Sequence, residues 1–327
     1  MKQKNIKVAL IATGGGHFEQ LINLSDLYNE YPHFWITNKI SQTVAELINE
    51  NVYFVKAGHY KKPWTYLSHF PFFIKIFVKE KPTHIISTGS GRTAFIAFLI
   101  SKLLRIKFIY IESFSRVKNF SKFGELLIRF GQRIYTQWET SNNDKVEYIG
   151  PVLSSKEIVK IIDKDSGYIF VALGNRIEQF TRLLNIVEQL KLNGIIENKV
   201  KVQAGYTNYK SDKLEIFDFC TPEEIDKYIY NSAFVITQES AGIVTKCLKI
   251  GKKFIVMPRD YNYGELPSKS DMKEDLQYKL EELGYTKVVN NISDMEIAIK
   301  DINKFKVGYN FNNSFTIQKL KILLENN

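Results

Sequence analysis

Cysteine is scarce in this chain: Cys220 and Cys247 are the only two in 327 residues. Their spacing fits no metal or redox motif, which excludes a disulfide scaffold and points to a reduced cytoplasmic compartment. Long apolar runs are missing too. No uninterrupted stretch reaches the roughly 18 residues needed to span a bilayer. Met1-Lys2-Gln3-Lys4-Asn5 leads into the first apolar segment without the core of a signal peptide. The expectation is a chain that does not cross the membrane. Zinc fingers, RNA-recognition signatures and basic DNA-reading helices are absent, so no nucleic-acid partner is expected. No Asp-x-Asp pair sits at a strand end, and neither a metal nor another cofactor is expected. There is no internal repeat, and the one biased tract is Asn-rich, near Asn310–Asn313.

What is present is an ordinary globular composition, 44% hydrophobic and 24% charged. The length suits two domains, each able to bury its own core. The net charge of +10 is unevenly placed. Residues 1–150 hold 20 Lys/Arg against 11 Asp/Glu, and the remainder holds 25 against 24. A basic half beside a neutral half implies that one half faces something anionic. A membrane surface, or a lipid diphosphate within it, fits that pattern.

Apolar segments near 6–12, 33–37, 52–55, 84–87, 107–111, 133–137 and 146–149 alternate with helical stretches, which predicts a doubly wound parallel sheet. Two glycine turns interrupt it. The first, Thr13-Gly14-Gly15-Gly16, opens a helix at His17 that is expected to run to Tyr28. The second, Thr88-Gly89-Ser90-Gly91, is followed by a helix-like apolar segment, Ala94 to Leu104. Such turns present backbone N–H groups suited to a diphosphate. The next strand ends on Glu112, Ser113 and then Arg116, at the edge where open α/β sheets build sites. Arg92, Arg116 and Lys118 can hold phosphate, arginine in bidentate fashion.

His59 to Lys81 is aromatic and basic. Leu67, Phe70, Ile74 and Phe77 fall at helical spacing, with Lys75 and Lys79 on a neighbouring face and Trp64 and Phe73 nearby. An amphipathic, lysine-flanked helix of this kind suits a membrane interface. The alternative is a crossover helix packing its aromatic side on the sheet.

Ser154 to Gly167 reads as a linker, and a second set of strands and helices follows. The predicted strand Tyr168–Ala172 ends in Leu173-Gly174-Asn175, and Phe234–Ile236 ends in Gln238-Glu239-Ser240-Ala241-Gly242, which opens a helix. These turns could cradle the two phosphates of a nucleotide. A plain helix cap is the alternative, since serine and glycine favour that position anyway. The division expected is residues 1–152 and 153–327, two Rossmann-like domains facing one cleft.

Gly14-Gly15-Gly16-His17, Thr88-Gly89-Ser90-Gly91, Ile111-Glu112-Ser113, Arg116-Val117, Ser121, Gly124, Gln137-Trp138 and Gly150-Pro151 together carry a family resemblance. Most of residues 6–151 resembles the membrane-associated, acceptor-side subunit of two-part glycosyltransferases. That group includes the eukaryotic enzyme adding the second GlcNAc to dolichyl diphosphate-GlcNAc, and bacterial capsule and exopolysaccharide relatives. The rest is similar to the donor-binding partner subunit, so the chain resembles a fusion of the two within the GT-B superfamily, to which the lipid II GlcNAc transferase also belongs.

The resemblance implies an inverting transfer of a hexose-type sugar from a UDP-sugar to a polyprenyl-diphosphate-linked sugar, peripherally on the inner face of the membrane. Membrane proteins of polysaccharide assembly are further expected partners. Gly174, Asn175, Gln238, Glu239, Ser240, Ala241, Gly242, Glu265 and Gln277 fall to the donor, the last two through Gly264-Glu265 and Asp275-Leu276-Gln277 elements. Gly15, Gly16, Gly89, Ser90, Gly91, Arg92, Ser113 and Arg116 fall to the acceptor diphosphate. Trp64, Phe70, Phe73, Phe77, Lys75 and Lys79 fall to the membrane. His17 and Glu112 are both candidates for general base, and either could instead orient the acceptor sugar. Three departures stand out: Gln238 replaces a family histidine, Ser240 a glycine, and Lys246 the glutamate that binds ribose. Lysine cannot accept hydroxyl hydrogen bonds, so ribose recognition would fall to Glu239 or Glu265. Two other readings compete. One is a UDP-GlcNAc 2-epimerase, whose helix start Glu239-Ser240-Ala241-Gly242-Ile243 resembles. The other is a non-catalytic membrane scaffold for another transferase.

Overall fold

A strand covered on both faces reads as an unbroken apolar run, because parallel sheets carry helices on each side. Strand β1 (Val8–Ile11) is such a strand, buried along its whole length. In the computed structural model of the chain, residues 6–55, 69–89, 92–139, 143–154, 167–239, 241–269, 272, 275–309 and 311–326 are described. Around β1 lie β2 (His33–Asn38), β3 (Val52–Val55), β4 (His84–Ser87) and β5 (Lys107–Tyr110), all parallel, in the order β3-β2-β1-β4-β5. Val8 stands opposite His33 on one side and His84 on the other. A two-stranded parallel ribbon, β6 (Ile134–Thr136) and β7 (Val146–Tyr148), follows, joined through a bridge from Ile111 to Tyr135.

The second sheet repeats the plan. Strands β8 (Ile169–Ala172), β9 (Val200–Gln203), β10 (Glu215–Phe217), β11 (Phe234–Thr237) and β12 (Phe254–Val256) lie parallel in the order β10-β9-β8-β11-β12. In both sheets the winding direction reverses beside the first strand, between β1 and β4 and between β8 and β11. Open α/β sheets bind ligands outside the carboxyl ends of strands at that point. All four glycine turns named above follow these four strands.

The connecting helices are set by local chemistry. Thr221 caps the helix Pro222–Asn231 by accepting from the Glu224 N–H (3.2 Å), while the Glu224 carboxylate accepts from the Thr221 N–H (2.7 Å). This reciprocal box satisfies two donors that a helix start otherwise leaves open. The stretch expected as a single helix from His17 to Tyr28 is two, Gly16–Ile22 and Ser25–Tyr28, with the break at Asn23-Leu24.

The chain divides into two compact units, Met1–Ser154 with Phe311–Asn327, and Ser155–Asn310. The expected second domain, 153–327, is therefore corrected at its end. Leu320 and Leu324, on the helix Ser314–Glu325, are buried in the core of the first unit with Val8, Leu10, Leu21 and Trp35. Asn313 Nδ2 donates to the Asn23 carbonyl (2.8 Å), and Thr316 Oγ1 to the Pro151 carbonyl (2.7 Å). Residues 155–166 of the expected linker lie outside the described residues.

The helix Phe70–Glu80 also differs from its expected role. Phe73, Ile76 and Phe77 are buried in the core of the first unit, and Phe70 and Ile74 pack against it. Phe73 and Phe77 thus belong to the sheet-facing stripe and are removed from the membrane set. Its outer face carries Pro71, Phe72, Lys75, Val78 and Lys79. The inner stripe ends on Glu80, whose carboxylate Lys7 reaches at 2.6 Å and Tyr53 through its hydroxyl, and these partners hold it below the usual carboxylate range. Trp64 lies outside the described residues. Among the described residues, no helix is long and apolar enough to cross a membrane.

Candidate functional site

In the first unit the two glycine turns are joined by His17. Its Nδ1 lies 2.8 Å from the Thr88 carbonyl oxygen, and the Thr88 hydroxyl donates back to the His17 carbonyl at 2.6 Å. The imidazole rests directly over Gly89. A Cβ there would stand 2.6 Å from both Nδ1 and Cε1, and φ of +114° makes the position doubly one for glycine. The charged form of His17 is disfavoured chiefly by burial, and by Arg116; the Thr88 hydrogen bond and the Glu112 charge act the other way, and the net effect lowers its pKa below 6.5. Gly15 and Gly16 are exposed at the mouth of the first turn. Ser90, Gly91 and the Arg92 side chain lie outside the described residues; Arg92 itself begins the helix Arg92–Leu104.

Glu112 is buried and saturated. Oε1 accepts from the Ser113 N–H (2.9 Å) and the Tyr110 hydroxyl (3.2 Å). Oε2 accepts from the Ser121 N–H and hydroxyl, both at 2.9 Å. An ionised carboxylate offers about four acceptor sites, and all are taken here. Ser121 in turn caps the helix Lys122–Arg129 by accepting from the Gly124 N–H (3.0 Å). A side chain at Gly124 would overlap Oε2, which accounts for the glycine. The geometry makes Glu112 the organiser of the 112–124 segment, and it leaves no lone pair aimed at an acceptor hydroxyl. Of the two candidate bases, it is the one that the structure argues against.

Two buried glutamines hold the adjoining loop. Gln20 Oε1 accepts from the Phe114 N–H (2.9 Å) and from Gln137 Nε2 (2.6 Å). Gln137 Nε2 also donates to the Glu112 carbonyl (2.9 Å), and its Oε1 accepts from the Val152 N–H (3.0 Å). Ser113 Oγ lies 3.0 Å from Ser115 Oγ, and the Arg116 N–H donates to the Ser113 carbonyl at 2.9 Å. Ser113 is thus built into the loop that carries Arg116. Nothing in the sequence singled out Gln20; its one signal is its place on the buried face of the helix Gly16–Ile22.

The second unit shows the same construction. Gly174 (φ +69°) allows close approach of Gln238, whose Nε2 would stand 2.5 Å from an added Cβ. Gln203 clamps the turn, accepting from the Gly174 N–H (3.1 Å). Beneath it is Arg259, 2% exposed, which sequence reading passed over. Its guanidinium donates to Gln238 Oε1 and to the Glu178 carbonyl (2.7 Å), and lies 4.6 Å from the Phe180 ring centre. Burial pulls its pKa down to about 10, so it stays charged near neutrality. The Arg259 N–H donates to Glu239 Oε2 at 2.8 Å, and burial pushes the Glu239 carboxyl upward.

Of the expected donor residues, Gly174, Gln238, Glu239, Ala241 and Gly242 gather at this switch point, on the ends of β8 and β11. Asn175 is exposed beside them. Ser240 lies outside the described residues. Gln277 is buried in the helix Leu276–Glu282. Glu265 is a correction. Arg182 grips it in bidentate fashion (2.9 and 2.8 Å), and Oε2 also accepts from the Asp260 N–H (2.8 Å). It anchors the 258–265 loop and is not presented to a ribose. Lys246, expected where a glutamate would bind ribose, is paired with Asp226 from the helix Pro222–Asn231. A cavity of about 620 Å³ lies in this unit between Gln179, Arg182, Asn185, Gln189, Tyr263 and Glu265, and does not include the glycine turns. Among the described residues, no three His, Cys, Asp or Glu side chains group as a metal site.

Residues 48–152 match the family described as oligosaccharide biosynthesis protein Alg14-like. A UDP-N-acetylglucosamine transferase subunit from Schizosaccharomyces pombe is 38% identical over 77 residues, 22% of this chain and 37% of that protein. The corresponding subunit from Candida albicans is 25% identical over 175 residues, 44% of this chain and 77% of that protein. The chain thus spans little more than a third of the first relative's length and about three quarters of the second's. Among solved structures, MurG of Acinetobacter baumannii superposes with a TM-score of 0.59 at 14% identity, covering 96% of this chain and 93% of that one. A UDP-GlcNAc 2-epimerase of Methanocaldococcus jannaschii, in complex with UDP-GlcNAc and UDP, gives 0.64 at 15% identity over 98% and 99%. At these identities the structural likeness establishes the fold: GT-B type, with two Rossmann-like units.

Proposed function

We propose that this chain is a GT-B glycosyltransferase that moves a sugar from a UDP-sugar to a polyprenyl-diphosphate-linked sugar at the cytoplasmic face of a membrane, for surface polysaccharide synthesis. One observation carries the reading. The stretch similar to Alg14-like proteins is continuous, in one chain, with a second Rossmann-like unit whose own switch point carries Gly174 after β8 and Gly242 after β11. An acceptor-type half and a donor-type half are what such a transfer needs. UDP-GlcNAc and UDP bound to an epimerase of the same fold support a nucleoside-diphosphate sugar as donor.

In this reading the acceptor hydroxyl gives its proton to His17 as its oxygen bonds to the anomeric carbon. The bond from that carbon to the diphosphate breaks, and its electron pair leaves on UDP. Backbone N–H groups at the start of the helix Ala241–Ile250 stabilise the charge that collects on the diphosphate. Arg116 contributes positive charge beside the acceptor turn. With Glu265 committed to Arg182, ribose recognition rests on Glu239.

The deciding experiment is incubation with a panel of UDP-sugars and a short polyprenyl-diphosphate-sugar. UDP release that requires acceptor means transferase. Sugar interconversion without acceptor means the epimerase alternative, and neither outcome leaves the scaffold. A binding test stands beside it. UDP should bind measurably by calorimetry and stabilise the fold by about 2.7 kcal/mol at a hundredfold excess over Kd. Gly242→Val should abolish that binding; unchanged affinity places the donor elsewhere.

Membrane attachment is assigned to the outer face of the helix Phe70–Glu80. Phe72→Ser combined with Lys75→Glu should release the protein from anionic vesicles without unfolding it, because both side chains are exposed. Phe73→Ser or Phe77→Ser should instead destabilise the first unit by several kcal/mol, as truncations in a packed core do. Retention of the outer-face variant on vesicles moves the contact to another segment.

A further inference from the structure

His17 makes two ring contacts that restrict it in different ways. The Thr88 carbonyl oxygen can only accept, so the Nδ1 that lies 2.8 Å from it carries the hydrogen. A neutral imidazole has one N–H, and its other nitrogen is then a bare acceptor. Gly89 fixes the plane of the ring, since the imidazole occupies the space that any Cβ at 89 would fill. The Thr88 hydroxyl closes the pair by donating to the His17 carbonyl, so that the histidine backbone and ring are both tied to the same residue. Thr88 is fully buried.

We infer that Nε2 of His17 is the atom that takes the acceptor proton, and that Thr88 and Gly89 are the positioning residues that hold it in the required tautomer and plane. The inference rests on the transferase reading above and deepens it. A carboxylate commonly does this service for a catalytic histidine, but Glu112 is fully engaged elsewhere and reaches His17 only through its charge. Here a backbone carbonyl at the end of β4 takes that part. The arrangement ties the two glycine turns together, so that the turn after β4 sets the geometry of the base delivered after β1.

The test uses the full chain labelled with ¹⁵N at histidine and needs no substrate. Near neutral pH, His17 should show a protonated-type signal for Nδ1 and an unprotonated-type signal for Nε2. Glu112 and Arg116 are the charged groups acting on the ring, and the signals are followed between pH 5 and 8. Thr88→Val removes the hydroxyl donor while keeping size, and should lower kcat by about tenfold to a hundredfold with KM near parental. Thr88→Ser should restore it. Gly89→Ala should disturb the His17 signals more strongly. Should that variant fail to fold, the Thr88 pair still decides. A proton found on Nε2 in the parent, or Thr88→Val with parental turnover and parental His17 signals, overturns the inference. If no transferase activity is detected in any variant, the tautomer remains readable and only the functional reading falls.

Discussion

His17→Ala lowers turnover by roughly a hundredfold to ten-thousandfold, the span expected on loss of a general base, while UDP affinity stays near parental because the proposed donor site belongs to the other unit. The KM for the acceptor changes little if the imidazole serves the transition state and not acceptor binding. Burial holds the His17 pKa below the ordinary value, so the acid limb of the pH–rate profile falls below 6.5. The same shift acts on stability. The unfolded chain takes up this proton more readily than the folded one, so the full contribution is present above 6.5 and is lost as pH falls below it. A variant that keeps turnover within a few-fold of the parent removes His17 from the chemistry and takes the proposed proton transfer with it.

Glu112→Ala destabilises the first unit by about 3 kcal/mol or more. Two backbone N–H groups and two hydroxyls lose their acceptor at once, and each buried donor left unpaired costs about 1–3 kcal/mol unless water or rearrangement satisfies it. Tryptophan fluorescence during urea unfolding isolates the effect, since Trp35 and Trp138 are buried in the first unit and residues 155–310 contain no tryptophan. Glu112→Gln keeps one oxygen but turns an amide donor toward donors already in place, and it should fall between parent and alanine variant. A Glu112→Ala protein with a parental urea midpoint and a turnover reduced a hundredfold would restore Glu112 as the base and would falsify its assignment as an organiser.

Local rules carried most of the fold. Buried parallel strands announce themselves as short apolar runs, so β1, β4, β8 and β11 were legible at nearly the observed bounds. What local pattern could not carry was direction. The spacing of Phe70, Ile74 and Phe77 shows that one face is apolar and not what that face meets; the sheet took Phe73 and Phe77, and the outside kept Phe72 and Lys75. The same holds for charge. A carboxylate after a strand is equally a base or a brace, and Glu112 is distinguished only by donors from Tyr110, Ser113 and Ser121 that folding brings to it. Gln20 and Gln137 stand 117 residues apart, and Arg182 and Glu265 83 apart. Pairings at such range leave no trace in composition or periodicity.

The return of the helix Ser314–Glu325 to the first core sets an order of events during synthesis. The second unit is one uninterrupted stretch, Ser155–Asn310, whereas the first is completed only by residues from Phe311 onward. Domains fold as units as the chain emerges at about 5–20 residues per second. The earlier half of the protein therefore waits for the whole of the later half to be made, on the order of ten to thirty seconds at those rates. During that interval the surface that Leu320 and Leu324 will cover, on the side of β1 next to Leu21 and Trp35, is open to water or to whatever else is at hand. The later-made unit is the first able to finish.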